Sequence, residues 1–341
     1  MEKVLPAECE EQDGVLLAWP HEATDWHPII SEAVTVFTEA ILQISRREKV
    51  ILVAPDTASL SRILEKAGAC MANVRLFSMD TNDTWARDFG PLVVREAGRL
   101  HILDFGFNGW GLKFPANFDN QITDRLIQSG AFAGLPRTTP GLILEGGSIE
   151  SDGEGTILTT AACLLSPNRN PHLSRRQIEE ALYDLLGADR VLWLEHGYLA
   201  GDDTDSHIDT LARLCPGDTI LHVACDDPAD EHCAAIDLMV EELHRFTTRN
   251  GSRYRLLPLP WPEPKFAADG HRLPATYANF LVINGAVLVP TYRDRSDSAA
   301  LDIVGKAFPG REIVGIDCLP LIEQHGSLHC ITMQIPRGAL S

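Results

Sequence analysis

Four short segments of this 341-residue chain concentrate side chains that could do chemistry. The densest covers residues 201–210, where Asp202, Asp203, Asp205, His207 and Asp209 lead directly into an apolar run. If a strand begins at Ile208, His207 and Asp209 share one face while Ile208 packs on the other. An imidazole beside a carboxylate at a strand mouth is an acid–base pair in form. The second segment, residues 82–91, holds Asp83, Trp85, Arg87 and Asp88 ahead of a Gly90-Pro91 break. In the third, Glu145 stands before Gly146 and Gly147, whose missing side chains let a ligand approach the backbone. In the last, Cys330 follows a turn containing Gly326 and precedes an apolar run. Its neighbour His329 would point to the opposite face of a strand. A nucleophilic Cys330 is therefore expected to be served by a distant histidine.

Each of these residue types also has a plainer role: acidic runs form solvated loops, and a cysteine is often a small core residue. Familiar sites are excluded by spacing. Residues 146–150 place Glu150 where a nucleophile elbow needs its second glycine. Residues 153–158 place Leu158 where a dinucleotide fingerprint needs its third, and Gly305-Lys306 lacks the rest of a phosphate loop. Residues 203–214 start like a calcium loop but carry Ile208 at the sharp turn and Leu214 in place of the bidentate glutamate.

The elements that must position these residues are legible as a repeat. Short β-branched runs at 14–20, 50–55, 74–79, 92–95, 101–105, 141–145, 155–160, 191–194, 208–214, 219–224, 255–259, 280–283, 286–290, 312–316 and 329–335 read as strands. Amphipathic stretches at 29–46, 57–67, 174–186, 227–247 and 297–307 read as helices, with Asp56 an N-cap and Ser174/Gln177 a capping box. Turn residues join strand pairs at Gly98, at 151–153, at 215–218 and at Asn284-Gly285. Hairpin, helix and strand recur about five times at roughly 65–70 residues, which suggests a radial α/β arrangement. No linker divides residues 1–341, so one domain is expected.

There are 29 basic and 48 acidic residues, a formal net charge of −19. Such a surface repels nucleic acid and anionic lipid and suits neutral or cationic ligands. No apolar run is long enough to span a membrane. Residues 1–8 lack the basic head and apolar run of a secretory signal, and eight scattered cysteines without a CxxC pair suit a reducing compartment. A cytoplasmic location is the expectation.

Taken together, the segments resemble the agmatine deiminases and their relatives, the bacterial peptidylarginine deiminases of the guanidine-modifying (pentein) superfamily. The resemblance runs through Trp19–Thr24, Trp85–Pro91, Phe107–Gly111, Glu145–Ser148, Asn168–Pro171, Asp202–Asp209, Tyr277–Phe280 and His329–Thr332, nearly the whole chain. It implies a pentein fold, a pseudo-fivefold α/β propeller of ββαβ-like units around a central site. It implies Cys330 as nucleophile, His207 as general acid and base, and Asp88, Asp209 and Glu145 as guanidinium-binding carboxylates, with Trp85 beside the substrate stem. The implied reaction is deimination of agmatine to N-carbamoylputrescine and ammonia, in putrescine biosynthesis or agmatine catabolism, with no metal or organic cofactor.

Two positions depart from the family pattern. Ser206 stands where glycine is usual, and residues 325–328 replace a glycine-rich run. Free arginine or peptidyl-arginine is the alternative substrate, with Arg87 or Arg169 available for an α-carboxylate. A metal-dependent hydrolase using Asp202, Asp203, Asp205, His207 and Asp209 is a further reading from another class. Homo-oligomerisation is left open.

Overall fold

The hairpin–helix–strand pattern is realised five times. The computed structural model describes residues 3–341. In each unit an antiparallel strand pair is followed by a helix, and a third strand then lies parallel to the second. The clearest are Ile149–Ser151, Thr156–Thr160 and Arg190–Leu194 with helix Arg175–Leu186, and Ala212–Cys215, Thr219–Val223 and Arg255–Leu259 with helix Cys233–Arg245. Leu281–Ile283, Ala286–Thr291 and Glu312–Asp317 with helix Asp297–Ala307 repeat the scheme. So do Leu92–Glu96, Arg99–Leu103 and Arg137–Thr138, with Lys3–Val4 added outside. The fifth unit closes the ring. C-terminal Met333–Pro336 pairs antiparallel with Gln12–Ala18, which is followed by helix Ile30–Ser45 and parallel strands Lys49–Ala54 and Val74–Ser78.

Local chemistry fixes the helix ends as expected. Asp56 accepts hydrogen bonds from the amides of Ala58 and Ser59, both at 3.1 Å, and starts helix Thr57–Ala67. The Ser174/Gln177 capping box opens helix Arg175–Leu186.

Three expected strands differ, for one physical reason: side chains take the backbone groups a partner strand would use. At 141–145 the amide of Ile143 donates to Asn170 Oδ1 (3.1 Å) and its carbonyl accepts from Asn170 Nδ2 (2.8 Å), so the hairpin partner of Thr156–Thr160 is instead Ile149–Ser151. Residues 208–210 form a 3-10 turn, with Thr210 Oγ1 donating to the His207 carbonyl at 2.8 Å, and the strand starts only at Ala212. Residues 329–332 likewise turn, with Thr332 Oγ1 donating to the His329 carbonyl at 3.0 Å, before the strand at Met333.

Among the apolar strands one charge is buried deeply. Arg213, 1% exposed, donates to Glu150 Oε1 (2.5 Å), Glu8 Oε2 (2.8 Å) and the carbonyls of Ala278 (3.0 Å) and Phe280 (2.5 Å). Its guanidinium also lies 4.4 Å from the centre of the Phe280 ring. Removing one partner of a buried ion cluster leaves the others uncompensated, at a cost of about 3–5 kcal/mol. Arg213→Met should therefore lower the urea midpoint by an amount corresponding to that loss, and equilibrium unfolding followed by circular dichroism measures it.

Candidate active site

Each of the five units places functional groups in the turn two to five residues ahead of its first strand. Asp88 precedes Leu92–Glu96, Glu145 precedes Ile149–Ser151, and His207 and Asp209 precede Ala212–Cys215. Asn279 precedes Leu281–Ile283, and Cys330 precedes Met333–Pro336. Because the strands are related by the ring, their preceding turns converge on its centre. Gly147 shows how tightly. A Cβ there would lie 2.6 Å from His207 Nδ1, 2.9 Å from Asp88 Oδ1 and 3.2 Å from Asp209 Oδ2, so only glycine lets the three side chains meet.

Each carboxylate is held by buried donors, Asp88 on both oxygens and Glu145 and Asp209 on one. Asp88 accepts from Trp110 Nε1 (2.9 Å) and from the amide of Gly147 (3.0 Å). Glu145 Oε1 accepts from Arg169 Nε (3.0 Å), and Asp209 Oδ2 pairs with His329 Nδ1 (2.7 Å). Glu145 Oε2, Asp209 Oδ1 and His207 Nε2 are buried without a hydrogen-bond partner. His207 Nε2 lies 3.9 Å from Glu145 Oε2, and His207 Nδ1 lies 3.6 Å from Asp88 Oδ1. The Cys330 thiol lies 3.4 Å from Asn279 Oδ1 and 3.9 Å from Asp209 Oδ2.

Cys330, Asp88 and Trp85 line a cavity. Its remaining walls include Asp25, Asp83, Asp202, Asp203, Trp110 and His325. Among the described residues no lysine or arginine lines it. His207, Glu145 and Asp209 sit one layer deeper, directly behind Asp88 and Cys330.

Electrostatics follow from this burial. Burial raises the Asp88 carboxyl to about 6, with His207 opposing and the Asp209 and Glu145 charges adding to the rise. Burial lifts the Cys330 thiol well above its ordinary 9.0, and the Asp209 and Asp88 carboxylates lift it further. For His207, burial acts to strip the proton, but neighbours led by Asp88 outweigh it and hold the imidazolium well above its usual range. Burial would also raise Glu145 and Asp209. The nearby His207 and the bonded Arg169 keep Glu145 low, and His329 keeps Asp209 low. Burial and neighbouring charge thus favour the protonated thiol and the charged imidazole, and one oxygen each of Glu145 and Asp209 carries no hydrogen bond among the described residues.

Several sequence expectations are corrected here. His207 and Asp209 do converge, but through a 3-10 turn rather than along a strand. His329 is not turned away from the site: it grips the Asp209 oxygen that lies nearest the Cys330 sulfur. Arg87 is buried against Gln334, the His329 carbonyl and Glu8, and Arg169 is paired with Glu145 and Asp205, so neither faces the cavity. The aspartates of the 202–209 cluster diverge. Asp202 accepts from the amides of Thr204 (3.0 Å) and Ser206 (2.7 Å), Asp205 pairs with Lys113 and Arg169, and Asp209 with His329. Among the described residues, the groups close enough to share an ion are Glu145–Cys163–His207 and Glu8–Glu150–His329, which omit those aspartates. Arg169 and Arg213 already occupy the edges of these two groups. Asn279 and Trp110 had no signal of their own in the sequence beyond lying within the quoted motifs, and Arg169 and His329 were singled out there for other reasons than the support they give to Glu145 and Asp209.

Known proteins resemble this chain over nearly its whole length. The sequence model of the Porphyromonas-type peptidyl-arginine deiminase family matches residues 4–336, and the chain belongs to that family. A protein of Porphyromonas gingivalis provisionally named an arginine deiminase is 48% identical, with 99% of this chain and 100% of that chain covered and a TM-score of 0.95. A cysteine-to-serine variant of the Campylobacter jejuni agmatine deiminase, solved with substrate bound, is 40% identical, with 99% and 97% covered and a TM-score of 0.92. A Yersinia pestis protein provisionally named an agmatine deiminase is 36% identical over 97% of this chain and 95% of its own. The dimethylarginine dimethylaminohydrolase of Pseudomonas aeruginosa, at 14% identity, 95% and 100% coverage and a TM-score of 0.52, shares the fold: the pentein α/β propeller.

The titration of Cys330 is directly measurable. Inactivation by iodoacetamide, which reacts with thiolate, should rise with pH and inflect above 9.0. Asp88→Asn removes one of the charges that raise the thiol and should move the inflection to lower pH.

Proposed function

We propose that this chain hydrolyses agmatine to N-carbamoylputrescine and ammonia, with the whole of residues 4–336 acting as one catalytic domain. The observation that carries this reading is a cavity with Cys330 in its wall, lined by Asp25, Asp83, Asp88, Asp202 and Asp203 and, among the described residues, by no lysine or arginine. Agmatine is cationic at both ends. Arginine brings an α-carboxylate that five aspartates repel, and a peptidyl backbone brings neutral amides that gain nothing from them. Relatives named agmatine deiminases support the reading.

Guanidinium is planar, and its N–H donors form a fixed fork. Asp88 and Asp209 are suited to grip that fork, and Asp209 Oδ1 has no other partner. Seating a cation beside Cys330 offsets the two carboxylates that keep its thiol protonated, so the substrate itself favours the thiolate, and the thiol proton is released to solvent. The sulfur attacks the guanidinium carbon, the His207 imidazolium passes its proton to the departing nitrogen, and ammonia leaves. Glu145 supports that imidazolium. Neutral His207 then takes a proton from water, whose oxygen attacks the amidino-thioether carbon. Expulsion of the sulfur gives the ureido product. Every group used belongs to this chain. With eight free cysteines and a net charge of −19, we place the reaction in the cytoplasm, away from nucleic acid and membrane surfaces.

A colorimetric assay for ureido product should show agmatine preferred to free arginine and to a peptide with internal arginine. Preference for either arginine substrate would overturn the assignment. Cys330→Ala should reduce product to background, and substantial residual turnover would exclude the covalent route. Asp203→Asn should raise KM for agmatine several-fold with little change in kcat, since it lines the cavity without contacting Cys330.

A further inference from the structure

We propose that Arg169 is a positioning residue for this reaction, clamping the turn that presents His207 to the glutamate that supports it. Its side chain is 1% exposed and outside the cavity wall. One edge of its guanidinium donates to Glu145 Oε1 at 3.0 Å, leaving Oε2 towards His207. Other donors reach the Thr204 carbonyl at 2.9 Å and the Asp205 carboxylate. Arg169 thus ties together two segments that are distant in sequence and that both support the general acid.

What the clamp restrains is a strained backbone. Asp205 and Ser206, immediately before His207, both adopt left-handed φ angles, 66° and 65°. Neither residue type favours that region as glycine does. Backbone strain of this kind persists only where surrounding contacts over-determine it. Here Asp202 accepts from the Ser206 amide at 2.7 Å, Thr160 Oγ1 donates to the Ser206 carbonyl at 2.8 Å, and Arg169 and Lys113 hold Asp205 from two sides. The clamp reaches a third wall as well. Gly111, at φ 85°, packs so closely that a Cβ there would lie 3.3 Å from Arg169 Nη1. Its neighbour Trp110, at φ 53°, donates to Asp88. Arg169 therefore braces the strained turn behind His207 and packs beside the one behind Asp88. A glycine at 206 would hold the same φ without help, so Ser206 makes the turn depend on its bracing.

The inference rests on the deiminase reading, and the test separates the two. Steady-state kinetics would be measured for wild type, R169M, R169K, S206G and R169M/S206G, using whichever of agmatine, arginine and peptidyl-arginine the wild type turns over best. R169M should lose about a hundredfold in kcat, the scale set by a small misplacement of a catalytic group, while KM holds because the cavity wall is intact. R169K should recover only part, since an ammonium cannot bridge the same partners. S206G alone should match wild type. In the R169M background it should restore about tenfold in kcat, because glycine adopts the left-handed angle without bracing. If R169M does not fold, R169K and R169K/S206G provide the same comparison. Wild-type kcat in R169M (R169K in the fallback pair), or parallel loss in kcat and KM with no recovery from S206G, would overturn the proposal alone. A wild type that turns over none of the three substrates overturns the deiminase reading and the proposal with it.

Discussion

Three carboxylates buried around one thiol are the constraint on which the rest of this structure depends. Asp88, Glu145 and Asp209 are 3%, 0% and 0% exposed, with the cationic partners Arg169 and His207 on their buried side. Buried charge is tolerated only when it is hydrogen-bonded or paired. Each carboxylate is accordingly fixed by donors from other parts of the ring: Asp88 on both oxygens by Trp110 and the Gly147 amide, Glu145 by Arg169, and Asp209 by His329. Among the described residues, Glu145 Oε2 and Asp209 Oδ1 accept no hydrogen bond. A site built this way suits a flat cation, and its carboxylates raise the Cys330 thiol.

The support continues below the site. His329 Nε2 lies 2.6 Å from Glu8 and 3.0 Å from Arg213, so Asp209 is linked through one imidazole to the central ion cluster. Arg213 in turn holds Glu150 and carbonyls on the approach to the strand that follows Asn279. The same contacts that close the five sheets around their centre thus also orient the side chains above them. Fold stability and site geometry share these residues, so a change in the cluster should be felt at Cys330 as well as in unfolding.

Much of this was legible in the sequence. The hairpin turns, the Asp56 and Ser174 caps and the recurrence of hairpin, helix and strand all follow from local propensity. So the repeat could be read from residues that touch only their neighbours. The elements misread were those whose backbone groups are taken by side chains. Asn170 occupies Ile143 as a strand would, and Thr210 and Thr332 stabilise turns where an apolar run suggested extended chain. No local pattern announces such substitutions, because in the Asn170 case the partner lies well outside the segment and in the others a hydroxyl competes with the ladder. His329 was misjudged for the same reason: alternation of faces holds along a strand, and the residue lies in a turn.

The sequence by itself named the candidate reactive groups. Cys330, His207, Asp88, Asp209, Glu145 and Trp85 were singled out from residue type, order and resemblance, because chemistry restricts which side chains can serve. Only the tertiary structure decided which acids do what. Asp202 and Asp203 face the cavity, whereas Asp205 is spent on Arg169 and Lys113, although all three stand within four consecutive positions. Arg87 and Arg169, equally available on paper to bind an α-carboxylate, are buried behind the site with their own partners. The division has a physical cause. A side chain's chemistry is fixed by its type, but its charge is effective only where its partners leave it free, and those partners come from other units of the ring.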